Sequence, residues 1–186
     1  MDTFEKPDSD IKSQPFDGLF HYLNKMKGES RSKTRFDYID SLISATGVFL
    51  AVSIICLLAV FFHYPMAMGP LGASCVLVFI AHQGPSSQPR HVIGVYTLST
   101  ITGLMIWSIF GKSLFIIIIS LVVVLILMSL TNTIHPPAAA SALVAINFET
   151  GWGYLIPIVI GAFLLVIISI LYNNLFPKRQ YPKHWL

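Results

Sequence analysis

Beyond residue 40 the chain alternates long apolar runs with short breaks rich in Pro, Gly, Ser and His. Four runs, at 42–63, 91–110, 113–133 and 154–176, are long enough to cross a hydrocarbon core of about 30 Å as helices rising about 1.5 Å per residue. Two shorter ones, at 70–82 and 136–148, reach only about 20 Å. The pattern predicts an all-α integral membrane protein with four long transmembrane helices and two short ones. The short ones either re-enter the membrane or cross it as short buried spans. Each opens at proline, Pro70 in the first and Pro136-Pro137 in the second, and proline suits a first helical turn because the N–H it lacks would be unpaired there. Ahead of the first run, Phe16, Leu19, Phe20, Leu23 and Met26 recur at helical spacing on a polar segment. They predict an amphipathic helix that lies on the membrane surface or packs on the protein's own cytoplasmic face.

The two short segments look like copies of one another. At a constant offset of 67 residues, Pro70 pairs with Pro137, Ala73 with Ala140, Ser74 with Ser141, Gly84 with Gly151, and Val92-Ile93-Gly94 with Val159-Ile160-Gly161. The chain then divides into a tail over 1–40, a membrane repeat over 41–110, a second over 111–177 and a short tail over 178–186. Each repeat reads long helix, short helix, long helix. Helix breaks at matching points of two halves point to a transporter site at the repeat interface, because irregular backbone survives in lipid only when buried in protein or lining a cavity. Ordinary loops between short spans are the alternative.

Charge sharpens the class. Between Ser41 and Pro177 only Arg90, Lys112 and Glu149 are charged, in a chain that is 54% hydrophobic. A soluble fold of this size needs far more surface charge, so the chain is read as a multi-pass protein of the cell membrane. Its polar first forty residues do not make a cleavable signal. Lys25, Lys27, Arg31, Lys33 and Arg35 precede the first span, and Lys178, Arg179 and Lys183 follow the last, which places both termini in the cytoplasm. Four crossings would put Lys112 on the cytoplasmic side; six would put Arg90 there and make the repeats inverted. Cys56 and Cys75 lie within apolar runs and read as small buried hydrophobes.

The short helices offer a way to hold an anion without a dense cluster of charge. Helix N-termini present unpaired N–H groups and a partial positive charge, and Gly72-Ala73-Ser74 and Ala139-Ala140-Ser141 are small enough for a ligand to approach the backbone. Ser74 and Ser141 add hydroxyls, and His135 adds a ring N–H or a proton site. Close helix packing explains the same small residues equally simply. Arg90 is either an oxyanion ligand or an interfacial anchor. His63, His82, His91 and His135 invite a metal or haem, but no two stand three or four residues apart on one helix. Nucleophile elbows, phosphate loops and paired carboxylates are missing. No metal, cofactor, enzymatic activity or nucleic-acid partner is therefore expected.

The stretches GPLGASCVLVF, SSQPRHVIG, TNTIHPPAAASAL, GWGYLIP and YPKHW resemble, in order and spacing, the HPP family of integral membrane proteins, named for a triplet that stands here at His135-Pro136-Pro137. The resemblance covers about residues 38–186. It carries over to Gly69, Pro70, Gly72, Ala73 and Ser74, to Gln88, Pro89, Arg90 and Gly94, and to His135, Pro136, Pro137 and Ala138. The chain departs from the usual pattern at His91, Val95, Tyr96, Ala139 and Ser141. The resemblance implies a four-helix membrane protein and a transporter, since plastid and cyanobacterial members are associated with nitrite. The expected function is thus a transporter or channel for a small inorganic anion, nitrite-like. Its site would comprise Arg90, His135, Ser74, Ser141, Gly72, Ala73, Ala140 and Gln88. A non-transporting assembly or regulatory subunit is the alternative, and a metal or haem protein the third reading. A homo-oligomer in the lipid bilayer is expected, associating through small-residue faces such as Ser99 to Gly103.

Overall fold

The computed structural model describes residues 17–26 and 37–185, and all regular structure among them is helical. Helix α1 covers Asp17–Met26, within the stretch where the apolar stripe predicted a helix. Its Phe20, Leu23 and Met26 are exposed, while Phe16, the Leu19 side chain and the basic run from Lys27 to Arg35 lie outside the described residues. Residues 37–186 form one compact unit, to which α1 does not belong. In it, α2 spans Tyr38–Phe61, α3 Met68–Ile80, α4 Pro89–Phe110, α5 Leu114–Leu130, α6 Pro136–Asn147 and α7 Leu155–Asn173. Single 3₁₀ turns at Pro65–Ala67, Pro85–Ser87 and Trp152–Tyr154 lead into α3, α4 and α7.

Among the described residues three helices are long and apolar enough to cross a membrane by themselves: Tyr38–Phe61, Pro89–Phe110 and Trp152–Asn173. The fourth expected long span, α5, has 17 residues and reaches about 26 Å. Local signals set the ends. Asp37 caps α2 by accepting from the N–H groups of Ile39 and Asp40, so the helix begins before its apolar run does. Ser113 caps α5, and Asn132, with φ of 51°, turns the chain just beyond it. Pro70 is not the start of its helix: α3 begins at Met68 and the turn before it at Pro65. Pro70 is tolerated there because the first turn of a helix has no partner for its N–H groups. Pro136 and Pro137 do open α6.

Cross-contacts fix which helix ends meet. At one end the guanidinium of Arg179, 5% exposed, donates from Nε to Asp40 Oδ1 (2.8 Å) and from Nη1 to Asn173 Oδ1 (3.0 Å). Nearby, Ser44 Oγ donates to the Phe79 carbonyl (3.0 Å), Tyr181 OH to the Ser87 carbonyl (2.8 Å) and Arg90 Nη2 to the Thr131 carbonyl (3.3 Å). At the other end Lys112 donates to the Asn147 carbonyl (2.6 Å) and pairs with Glu149 (3.4 Å), and the rings of Tyr64 and Tyr154 meet at 5.8 Å. Helices α2 to α7 therefore run alternately up and down. The short helices traverse the bundle with their neighbours and do not turn back. Arg90 shares an end with the start of α2 and the C-terminal tail, while Lys112 lies opposite.

Helix α2 packs on α3 and α7, α5 on α6 and α4, α4 on α6 and α7, and α3 on α6 and α7. The α4–α6 seam is the tightest. A Cβ on Gly103 would stand 2.6 Å from Ala142 Cα, and Ser99 hydrogen-bonds the Ala138 carbonyl. The Ser99-to-Gly103 face expected to join copies of the chain is used inside it, because its small side chains let α6 approach closely.

Candidate functional site

Helix α4 is the polar spine of the bundle. Tyr96, Ser99 and Thr100, at helical spacing, are fully buried against the two short helices. Around Ser99, Ser99 Oγ and Ser141 Oγ both donate to the Ala138 carbonyl (2.6 and 2.7 Å), and Thr100 donates to Ser141 (2.9 Å). Nearer the tail end, Tyr96 OH donates to the Pro70 carbonyl (2.5 Å) and lies 2.7 Å from Ser74 Oγ. Ser74 Oγ is in turn 2.7 Å from His135 Nε2. His135 Nδ1 lies 2.7 Å from the Ser86 carbonyl, so it carries the ring proton. His135 precedes α6 without capping it; its ring crosses to α3 instead.

Above this column a cleft of about 320 Å³ opens at the tail end, lined by Pro85, Gln88, Arg90, His91, Asn132, His184 and Trp185. Among the described residues it holds a guanidinium and two imidazoles and no carboxylate. Arg90 is exposed and, among the described residues, is held only by its bond to Thr131, which engages one of its donors. His91 Nδ1 accepts from the Ile134 N–H (2.8 Å), so its proton is on Nε2. The cleft wall and the buried column adjoin: Ser86 and Ile134 are chain neighbours of Pro85 and His135 respectively.

The family described as "HPP, transmembrane region" matches residues 33–182. The chain belongs to the HPP family. Two curated transmembrane proteins of Dictyostelium discoideum are similar to it. One is 31% identical over 77% of this chain and 54% of its own length; the other is 28% identical over 90% of this chain and 58% of its own. The HPP chain thus spans little more than half the length of these relatives. No solved structure matches it.

The residues expected at one site fall in three places in this HPP protein. Arg90 is in the cleft. His135 and Ser74 meet in the buried column, and Ser141 of α6 lies deeper, against Ser99 and Thr100 of α4. Gly72 is half-buried and Ala73 exposed, on the face of α3 turned away from Ser74; Ala140 is half-buried on α6. The His135 ring stands between the Ser86 carbonyl and Ser74 of α3, beside the Tyr96 ring. Gln88 is fully engaged: Nε2 donates to the His82 and Gly84 carbonyls (3.1 and 2.9 Å), and Oε1 accepts from the backbone N–H of Lys183 and of His184 (2.8 and 3.3 Å). It clamps the C-terminal tail that forms one wall of the cleft. Among the described residues no three His, Cys, Asp or Glu gather as metal ligands, and both cysteines are free. Tyr96, Ser99 and Thr100 were legible as a polar stripe at i, i+3 and i+4 in an apolar helix. His184 and Trp185 had no such signal, since they reach the cleft only through the fold.

Proposed function

We propose that this HPP-family protein carries a small inorganic anion, nitrite-like by family resemblance, across a membrane. It acts as a transporter or channel and not as an enzyme. The observation that carries the reading is the cleft of Arg90, His91 and His184, free of carboxylates among the described residues and set over a buried column of hydroxyls. A bidentate guanidinium and imidazole N–H groups suit a planar oxyanion. All six helices of the compact unit would cross the bilayer, with the tail end in the cytoplasm. Arg90, Lys178, Arg179 and Lys183 lie at that end against Lys112 opposite, as the positive-inside rule asks. Exchanging α2 with α5, α3 with α6 and α4 with α7 maps α4–α7 and α3–α6 onto themselves and every other principal helix pairing onto another of them, which supports an inverted two-fold repeat. A homo-oligomer is the proposed assembly, joined by a face other than Ser99 to Gly103.

A second reading, an assembly or regulatory subunit, draws on the column's serine and threonine hydroxyls, which are bonded within the protein. In the transport reading the same feature is a closed state. Purified protein in liposomes separates them. Wild type should move nitrite, nitrate or bicarbonate, and Arg90→Gln should weaken half-saturation about tenfold, the effect of one lost charge-assisted hydrogen bond. Absence of any anion flux from wild-type liposomes would leave the subunit reading in its place.

A further inference from the structure

The chain of contacts through His135 is one hydrogen short. Its four contacts are Ser86 carbonyl to His135 Nδ1, His135 Nε2 to Ser74 Oγ, Ser74 Oγ to Tyr96 OH, and Tyr96 OH to the Pro70 carbonyl, at 2.7, 2.7, 2.7 and 2.5 Å. Both ends are carbonyls and bring no hydrogen. A neutral imidazole, a serine and a tyrosine supply three. With three, Ser74 donates to Nε2, Tyr96 donates to Pro70, and the Ser74 and Tyr96 oxygens face each other with nothing between them. A fourth proton on Nε2 turns the Ser74 hydroxyl toward Tyr96 and fills every contact, the donations running outward from the ring to both carbonyls.

We propose that His135 is a proton-binding site of the bundle, loaded together with an anion in the adjoining cleft. The proton comes from cleft water and binds the Nε2 lone pair; no other bond is made or broken. The groups around the ring are Tyr96 and His91 on α4, Cys75 on α3 beside Ser74, and Arg90 and His184 at the cleft. Among the described residues none is a carboxylate: Asp37 caps α2, Asp40 is engaged by Arg179, and Glu149 lies at the far end. An imidazolium buried there has no counter-ion among the described residues until an anion enters. Anion and proton therefore raise each other's affinity by the same factor, and the anion moves with a proton. This second half rests on the anion reading, whereas the proton site stands without it.

The test is ¹⁵N-histidine NMR of the purified full-length protein, with the His135 signal assigned by its loss in His135→Gln. As pH falls, His135 should pass from a single Nδ1–H tautomer to imidazolium, and nitrite should tighten proton binding. Tyr96→Phe removes two contacts and one hydrogen. It leaves the neutral cluster complete, so proton binding should weaken about tenfold, one pH unit in midpoint, with the fold kept by an isosteric ring. If His135→Gln does not fold, the signal that moves in Tyr96→Phe identifies the ring. A His135 that stays in one neutral tautomer wherever the protein is folded, or a Tyr96→Phe variant that titrates like wild type, overturns the proton site and leaves the transport reading standing. Titration that ignores nitrite overturns the coupling alone.

Discussion

His82, two residues beyond α3, is 6% exposed, and its Nδ1 is buried without a partner. Burial first, and then the neighbouring Arg179 guanidinium, push its pKa below the ordinary value of 6.5. The folded protein thus holds the imidazole neutral where the unfolded chain would protonate it. Its contribution to stability is complete above pH 6.5 and declines as the pH falls below that value. Thermal unfolding in detergent between pH 7.5 and 5 should show the midpoint dropping on the acid side, and His82→Asn should flatten that slope; an unchanged slope in the variant would assign the acid loss elsewhere. Arg179 illustrates the same end differently. In sequence it is one of three basic residues after the last span, and nothing marks it from Lys178. Only the packed chain puts it against Asp40, Ser44 and Asn173, where it ties α2, α3 and α7 to the tail.

Between elements, the α4–α6 seam rests on the absence of a side chain at Gly103. A Cβ there meets Ala142 Cα at 2.6 Å and the Ala142 carbonyl oxygen at 2.9 Å, and backbone cannot swing aside as a side-chain tip can. Gly103→Ala should therefore destabilise by about 1–3 kcal/mol, as overpacking does. Gly94→Ala on the same helix meets only a methyl at 3.9 Å and should stay within about 0.5 kcal/mol of wild type. Melting both variants in one detergent checks the difference. The helices themselves were largely legible: apolar runs bounded by Pro, Gly and Ser give α2 to α7 to within a few residues. The partner of Gly103 was not, because a small-residue stripe has the same spacing whether it faces another helix of its chain or another copy.

At the scale of the molecule, the direction of α3 and α6 decides the topology. Each begins where the preceding long helix ends and finishes at the opposite end of the bundle, so residues 112 and 183 lie at opposite ends. In a version lacking Cys56 and Cys75, a membrane-impermeant maleimide should label Lys112→Cys on intact cells and Lys183→Cys only after permeabilisation. Labelling of both from one side would return the protein to four crossings with two re-entrant segments. Charge in the sequence left these two arrangements level, since Lys112 and Arg90 weigh equally as single flanking cations.

The sequence alone determines that this is a helical membrane protein of the HPP family, because hydropathy, proline placement and motif order are local properties written residue by residue. It also marks His135, Ser74 and Arg90 as chemistry out of place in an oily chain. Which of them meet is a tertiary matter. The fold turns Gly72 and Ala73 away, commits Gln88 to holding the tail, and parts Arg90 in the cleft from His135 in the column. It adds Tyr96, His184 and Trp185 to the proposed site, drawn from elements far apart in the chain. Helix spacing specifies a face; only packing against α3, α6 and the tail specifies what that face touches.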